Sequence, residues 1–119
     1  MKMISENFPE SLGGYTKGLK ACIQAFELAV PIDRVVLFGS YARGQNRPDS
    51  DVDLCIIVSG MISQQKTSRT LRRTIGRIRN KPALSLVPIS VKRLAEKHRI
   101  HDPFYETIMR EGVCLAKKD

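Results

Sequence analysis

The sequence predicts one α/β or α+β domain built around a small β-sheet. Segments with helical periodicity alternate with short apolar runs that are typical of buried strands. The chain has 119 residues, enough for one modest core, and a hydrophobic content of 42% that indicates a globular protein rather than a disordered one. We find no internal repeat, linker or low-complexity segment, so we expect a single domain over residues 1–119.

The first half of the chain contains one predicted helix and two predicted strands. Apolar residues share one helical face before Pro31 ends the pattern, and they are Tyr15, Leu19, Cys22, Ile23, Phe26 and Val30. A buried strand is predicted over 34–38 and ends at Gly39. A second strand is predicted over 51–58, and Ser59 and Gly60 follow it as breakers.

The second half repeats this alternation. A helix is predicted over 63–80, with Leu71, Ile75 and Ile78 on its apolar face. The later elements are a strand over 83–90, a short helix over 91–97, a loop around 101–103, a helix over 103–112 and a short strand over 113–116. In the last helix, four residues are predicted to join the core: Phe104, Tyr105, Ile108 and Met109.

The charge of the chain favours an anionic partner. The formal net charge is +8, which suits a nucleotide, a nucleic acid or an acidic protein surface. Many of the cations lie on the polar face of the helix predicted over 63–80: Arg69, Arg72, Arg73, Arg77 and Arg79. This face is either a solvated helix surface or a docking surface for acidic protein or nucleic acid, and the sequence leaves both interpretations open.

The cysteines and the hydropathy pattern indicate a cytoplasmic protein. Cys22, Cys55 and Cys114 lie far apart among apolar residues, without the spacing of a zinc site or a disulfide framework. They are predicted to be reduced core residues. No apolar run approaches the roughly 18 residues that a membrane span needs, and the first residues lack the apolar core of a signal peptide.

The loop between the first two strands carries the candidate site. Gly39 and Ser40 follow a strand directly, an arrangement that can present backbone N–H groups to a phosphate. Asp51 and Asp53 are separated by one strand residue, so their side chains are predicted to share one face. Two adjacent carboxylates repel unless a proton or a cation lies between them, and Mg²⁺ prefers such oxygen ligands. A simple turn and a solvated aspartate pair are the alternatives.

These residues resemble a known family. The segments "LFGSYARG" and "SDVDL" are similar to the signature of the nucleotidyltransferase superfamily that includes DNA polymerase beta, and above all to its minimal members (MNT). The resemblance implies a small mixed sheet flanked by helices, as in the polymerase palm. It also implies that Gly39 and Ser40 hold the triphosphate of ATP, and that Asp51 and Asp53 bind two Mg²⁺ ions. Transfer of AMP with release of pyrophosphate would follow, with Arg43 as a phosphate contact.

One carboxylate of the implied site is absent. Active members of the superfamily carry a third acid on the next strand, and the resemblance puts Ser85 at that position. No aspartate or glutamate occurs between Asp53 and Glu96. Serine is a weak neutral ligand and a poor base near neutral pH, so we expect nucleotide binding to survive more easily than catalysis. An acid from the C-terminal segment, Asp102 or Glu106, or from a partner stays an alternative.

The resemblance also implies a partner. Minimal members are often paired with a small helical HEPN-domain protein in toxin–antitoxin systems, and the short chain favours a protein acceptor. Three hypotheses follow: an enzyme that transfers AMP to a hydroxyl of its HEPN partner, a degenerate member that neutralises this partner by binding it, and a basic nucleic-acid-binding module. A homodimer is left open.

Overall fold

The computed structural model describes residues 1–60 and 63–119, and within them one five-stranded sheet organises the chain. The strands are β1 (Lys2–Met3), β2 (Ile32–Phe38), β3 (Val52–Val58), β4 (Leu84–Ser90) and β5 (Val113–Lys117). The α-helices are α1 (Thr16–Ala29), α2 (Gly39–Ala42), α3 (Gln64–Thr74), α4 (Val91–Arg99) and α5 (Pro103–Glu111). The predicted class, a mixed sheet flanked by helices, is confirmed.

The sheet has the strand order β1-β5-β2-β3-β4. All neighbouring strands are antiparallel except β3 and β4, which are parallel. Helices α1 and α3 cover one face of the sheet, and α4 and α5 cover the other. Strand β3 lies between two strands and two helical layers, which explains why its apolar run is continuous rather than alternating.

The core is therefore divided by the sheet into two clusters. On the α1 side, Leu54 and Ile56 pack with Leu19 and Phe26 of α1, and all four are fully buried. On the α4 and α5 side, the smaller cluster is built from these residues: Val36, Cys55, Ile57, Ile89, Leu94, Tyr105 and Ile108. Alternate residues of each strand thus serve opposite layers, as the period of two requires.

Several predicted boundaries are wrong. Helix α3 ends at Thr74 rather than at residue 80, and a series of turns follows it. These turns still carry Ile75 and Ile78 onto the core, so the apolar spacing continued beyond the helix that it predicted. Strand β2 begins earlier than predicted because Ile32 pairs with Val58, and α4 extends to Arg99.

The first 15 residues contain structure that the sequence did not predict. Strand β1 pairs with β5, and two 3₁₀ segments, Ser5–Asn7 and Glu10–Tyr15, connect it to α1. A strand of two residues has no readable periodicity. Its place depends on β5, which lies more than 100 residues further along the chain.

The prediction of a helix that begins at Pro103 is confirmed, but only two of its four predicted core residues are buried. Asp102 caps it by accepting from the backbone N–H groups of Phe104 and Tyr105, and Pro103 occupies its first position. Tyr105 and Ile108 are buried, but Phe104 and Met109 are 49% and 39% exposed, so their assignment to the core was wrong.

The cysteines are free, with Cys22 and Cys55 buried and Cys114 partly buried. Burial raises the pKa of the Cys55 thiol to about 12, so this group is chemically inert near neutral pH. Within the part of the chain that the structure describes, no helix is long and apolar enough to cross a membrane.

Candidate functional site

The candidate site lies where one strand ends and two strands begin. Because β2 is antiparallel to β3 and β3 is parallel to β4, the end of β2 and the starts of β3 and β4 meet at one edge of the sheet. Phe38 is opposite Asp53, and Asp53 is opposite Ser85. Directly paired residues point to the same face, so these three side chains form one row on the α4 and α5 side.

Gly39 shapes one wall of the site. Its φ of +74° is in the region that L side chains rarely adopt, and a Cβ at this position would collide with Asp53 Oδ2. Helix α2 begins at this residue, and the first N–H groups of any helix lack a partner inside it. The turn therefore brings the backbone of Gly39 directly against the Asp53 carboxylate, and the half-buried Ser40 follows it.

Asp53 is the most perturbed acid of the site. Desolvation raises the pKa of its carboxyl above the ordinary value, and repulsion from Asp51 adds to the rise. Hydrogen bonding from the Ser85 hydroxyl is the largest opposing effect, and the charge of Arg43 opposes it as well. Carboxyl groups with perturbed pKa values are common at functional sites.

Asp51 and Asp53 are held in place by the residue between them. Val52 is fully buried in the opposite layer, so the two aspartates flank a fixed point at the start of β3. Asp51 is exposed and lies just before the strand, while Asp53 is half-buried within it. Two carboxylates with one desolvated member fit a hard divalent cation, because the cation would relieve both the repulsion and the desolvation.

The two arginines of the loop have different surroundings. Arg43 Nη1 lies 3.6 Å from Glu111 Oε2 of α5, and Arg43 Nε donates to Gln45 Oε1 at 3.2 Å. Arg43 is therefore at the border of the site, close enough to act on the pKa of Asp53. Arg47 is exposed, and its backbone N–H donates to the Ser50 hydroxyl in the loop.

The structure places Ser85 next to the aspartates, at the position that the resemblance assigned to a third acid. The alternative acids are engaged elsewhere: Asp102 caps α5 and lies 3.7 Å from Lys97, and Glu106 contacts His101 at 3.0 Å. The described residues contain no group of three or more acidic, histidine or cysteine side chains that could hold a metal ion. The two aspartates are thus the carboxylates that this edge of the sheet brings together.

Sequence reasoning missed two neighbours of the site. Glu111 contacts Arg43 from a helix that is far away in sequence, and no local pattern indicates this pair. Phe38 forms an edge-to-face contact with the exposed Phe104, their ring centroids 6.0 Å apart. The place of Phe38 opposite Asp53 depends on the pairing of β2 with β3, and the long connection between these strands does not fix that register.

Comparison with known proteins identifies the family. The model of the nucleotidyltransferase domain family matches residues 17–113, which cover the sheet from β2 to the start of β5 and all five helices except the first residue of α1. The chain belongs to this family. The resemblance inferred from the two motifs is thereby confirmed, and the chain fits a minimal nucleotidyltransferase.

Individual relatives agree with this assignment. A Methanocaldococcus jannaschii protein named "Putative protein adenylyltransferase" is 44% identical over 41 residues, a match that spans 34% of this chain and 41% of the relative. The match thus covers less than half of that relative's length. A solved structure described as a "putative nucleotidyltransferase from Sulfolobus solfataricus" has a TM-score of 0.66 at 20% identity, and the match covers 92% of this chain and 86% of the other.

A second solved structure has a similar fold. It is described as a "toxin-antitoxin with AMP-PNP", with a TM-score of 0.56 at 16% identity, covering 84% of this chain and 73% of the other. At these identities the two solved structures show a shared fold and nothing finer.

Proposed function

We propose that this chain is a Mg²⁺-dependent nucleotidyltransferase that binds ATP and transfers AMP to a hydroxyl of a partner protein. The observation that carries the proposal is the contact between the Gly39 turn and the Asp53 carboxylate. It joins a phosphate-binding turn and a cation-binding acid at a separation that leaves no room for a Cβ. Family membership and the name of the Methanocaldococcus relative support nucleotidyl transfer, and AMP-PNP in a structural neighbour supports ATP as the donor.

Each site residue has a proposed role that follows from its surroundings. The N–H groups at Gly39 and Ser40 would bind the triphosphate at the start of α2. Asp51 and Asp53 would hold Mg²⁺, which supplies neutralisation of charge on the phosphates when bound. Arg43 would exchange its contact with Glu111 for a phosphate oxygen, since its charge already acts on the pKa of Asp53.

The proposed reaction is an in-line substitution at the α-phosphorus of ATP. The acceptor oxygen forms a bond to this phosphorus, and the bond to the oxygen that bridges to the β-phosphate breaks. Pyrophosphate leaves with that electron pair, and the hydroxyl proton passes to solvent. Ser85 does not take this proton, because a serine hydroxyl is a poor base near neutral pH.

We further propose that the acceptor belongs to a HEPN-domain protein and that this chain is the antitoxin of the pair. The toxin–antitoxin description of a structural neighbour supports this setting. The position of Ser85 favours a second candidate function, in which the chain neutralises the partner by binding it and retains only nucleotide binding. Both candidates use the same Gly39 and Asp53 contact, but only the first requires turnover.

Transfer of radiolabel distinguishes the two candidates. The purified chain is incubated with ATP labelled at the α-phosphate, Mg²⁺ and the protein encoded next to it in the genome. Label on the partner that disappears in Asp53→Ala supports the enzyme. Label that appears only in Ser85→Asp, and not in the control Ser59→Asp beyond the other end of β3, supports the degenerate binder. ATP binding that is unchanged in Asp53→Ala would contradict both candidates.

A further inference from the structure

The outer edge of β4 is an unpaired side of the sheet. Strand β4 is last in the strand order and pairs with β3 only. Val52 N donates to Ala83 O at 2.8 Å, so residue 83 and every second residue after it turn their peptide groups toward β3. The residues between them, Leu84, Leu86 and Pro88, turn theirs outward.

Both ends of this edge are covered by side chains of α3. Arg72 Nη2 donates to Leu84 O at 3.1 Å, and Gln64 Nε2 donates to Pro88 O at 2.7 Å. Pro88 has no N–H to offer. Leu86 lies between the two, and no bond to its outward N–H or C=O comes from residues 1–60 or 63–119. One donor and one acceptor are therefore available at the centre of the edge.

A groove lies in front of these groups. It has a volume of about 720 Å³, and its floor is the β4 segment from Leu86 to Pro88. Helix α3 forms one side with Gln65, Ser68 and Arg69, and Tyr105 of α5 forms the other. This is the space that a sixth strand of the sheet would occupy.

The groove is bordered by positive charge. Helix α3 carries no acidic residue, and Arg69 lines the groove directly. At Pro88 the side chain of Gln64 closes this end of the groove, because its Nε2 donates to Pro88 O and to the Tyr105 hydroxyl. A second cavity of about 540 Å³ lies on the other side of Gln64 and is bordered by Lys92, Arg93 and Lys97. Arg93 is paired with Glu96 at 2.9 Å and Lys97 lies 3.7 Å from Asp102, whereas Arg69 and Lys92 have no ion-pair partner among residues 1–60 and 63–119. The surroundings therefore attract an acidic occupant.

The groove also leads to the candidate site. Ser85 precedes Leu86 on β4 and lies opposite Asp53. Strand residues advance by about 3.3 Å each, so a chain that pairs with Leu86 has residues within a few positions of the aspartates.

We propose that the outer edge of β4 binds an extended acidic segment of the acceptor protein as an added strand. The backbone of the segment pairs with Leu86, and its acidic side chains contact Arg69 and the cations beyond Pro88. This inference rests on the proposed function, because it names the segment that would bring the acceptor hydroxyl to Asp53.

The first experiment measures binding of defined peptides in the absence of ATP. The probe is a fluorescein-labelled ten-residue peptide that alternates glutamate and valine, followed by fluorescence anisotropy. The matched control peptide has lysine in place of glutamate. We expect binding of the glutamate peptide alone, and equal binding of the two peptides would overturn the inference.

Methylation of the peptide backbone tests strand addition without altering the protein. One variant peptide carries N-methyl groups on its valines, and another carries them on its glutamates. An added strand uses one of its two edges, so one variant should lose roughly tenfold in affinity while the other binds normally. Normal binding of both variants would exclude backbone pairing.

Two protein variants test the location. Arg69→Glu should weaken binding of the glutamate peptide roughly fivefold, as expected for reversal of one exposed charge. Arg79→Glu makes the same charge change beyond the end of α3 and outside the groove, so it should leave binding unchanged. Equal effects of the two variants would show general attraction and overturn the inference.

The outcome separates this inference from the proposed function and from RNA binding. Peptide binding without transfer of label to the partner would contradict turnover and leave the docking surface intact. Transfer of label to the partner without peptide binding would support turnover and contradict the docking surface. A single-stranded RNA oligonucleotide that binds with the same sensitivity to Arg69→Glu, while the glutamate peptide does not bind, would assign the groove to nucleic acid and overturn the inference.

Discussion

Replacement of Gly39 by alanine tests the closest contact of the candidate site. The substitution adds one methyl group at a residue with φ +74°, directly against Asp53 Oδ2. The left-handed backbone costs a residue with a Cβ about 1 kcal/mol. Displacement of the Asp53 side chain from its rotamer costs about 1 kcal/mol more. We therefore expect the free energy of unfolding to fall by about 2 kcal/mol.

Gly44 provides a matched control. Its φ is +68°, but a Cβ there would meet nothing within 4 Å. Gly44→Ala should therefore lose only the backbone contribution of about 1 kcal/mol. Any entropy that alanine removes from the unfolded chain is common to both variants and cancels in the comparison. The difference between them measures the contact with Asp53.

Urea denaturation and nucleotide titration are the two assays. A third background, Asp53→Ala, removes the carboxylate and leaves its Cβ at 3.3 Å from the added methyl group. In that background the two glycine variants should have nearly the same stability. Gly39→Ala should also lose Mg²⁺-dependent ATP binding, whereas Gly44→Ala should keep it. Equal stability and normal ATP binding in both variants would refute the role assigned to the Gly39 turn.

Three further predictions concern protonation, thiol reactivity and packing. Ser85→Ala should raise the pKa of Asp53 further, because it removes the largest opposing interaction; Mg²⁺-dependent ATP binding should then require a higher pH, and an unchanged pH profile would contradict this. Iodoacetamide should modify Cys114 before Cys55 in the native protein, as peptide mass mapping would show. Gly112→Ala should lower the free energy of unfolding by about 1–3 kcal/mol in urea, because its Cβ would collide with the backbone of α5 at an ordinary φ of −70°.

The parts of the fold that the sequence predicted are those fixed by local periodicity. The run from Val52 to Val58 is apolar at nearly every position, and it is the strand buried on both faces. Helix α1 has a clear apolar face ended by Pro31. The end of α3 was predicted six residues too late, because Ile75 and Ile78 face the core from turns at the spacing of a helix. Apolar spacing thus indicates burial more directly than it indicates hydrogen bonding.

Features that depend on distant parts of the chain could not be predicted. Strand β1 exists because of its pairing with β5, and the contact of Arg43 with Glu111 joins α2 to the end of α5. The motif indicated that the glycine–serine turn and the two aspartates lie near each other. The collision between a Gly39 Cβ and Asp53, and the open edge of β4, required the register of the strands.

The residues of the candidate site lie on strands that differ in how many neighbouring strands hold them. The Gly39 turn directly follows β2 and the two aspartates lie at the start of β3, and both strands are held by neighbours on both sides. Ser85 belongs to the edge strand and is half-buried, so a carboxylate there could be gained or lost without repacking the interior. In evolutionary terms, the proposed binding of nucleotide would therefore depend on the same strands that hold the fold together. The capacity for turnover, by contrast, would depend on one peripheral position that a single codon change can alter.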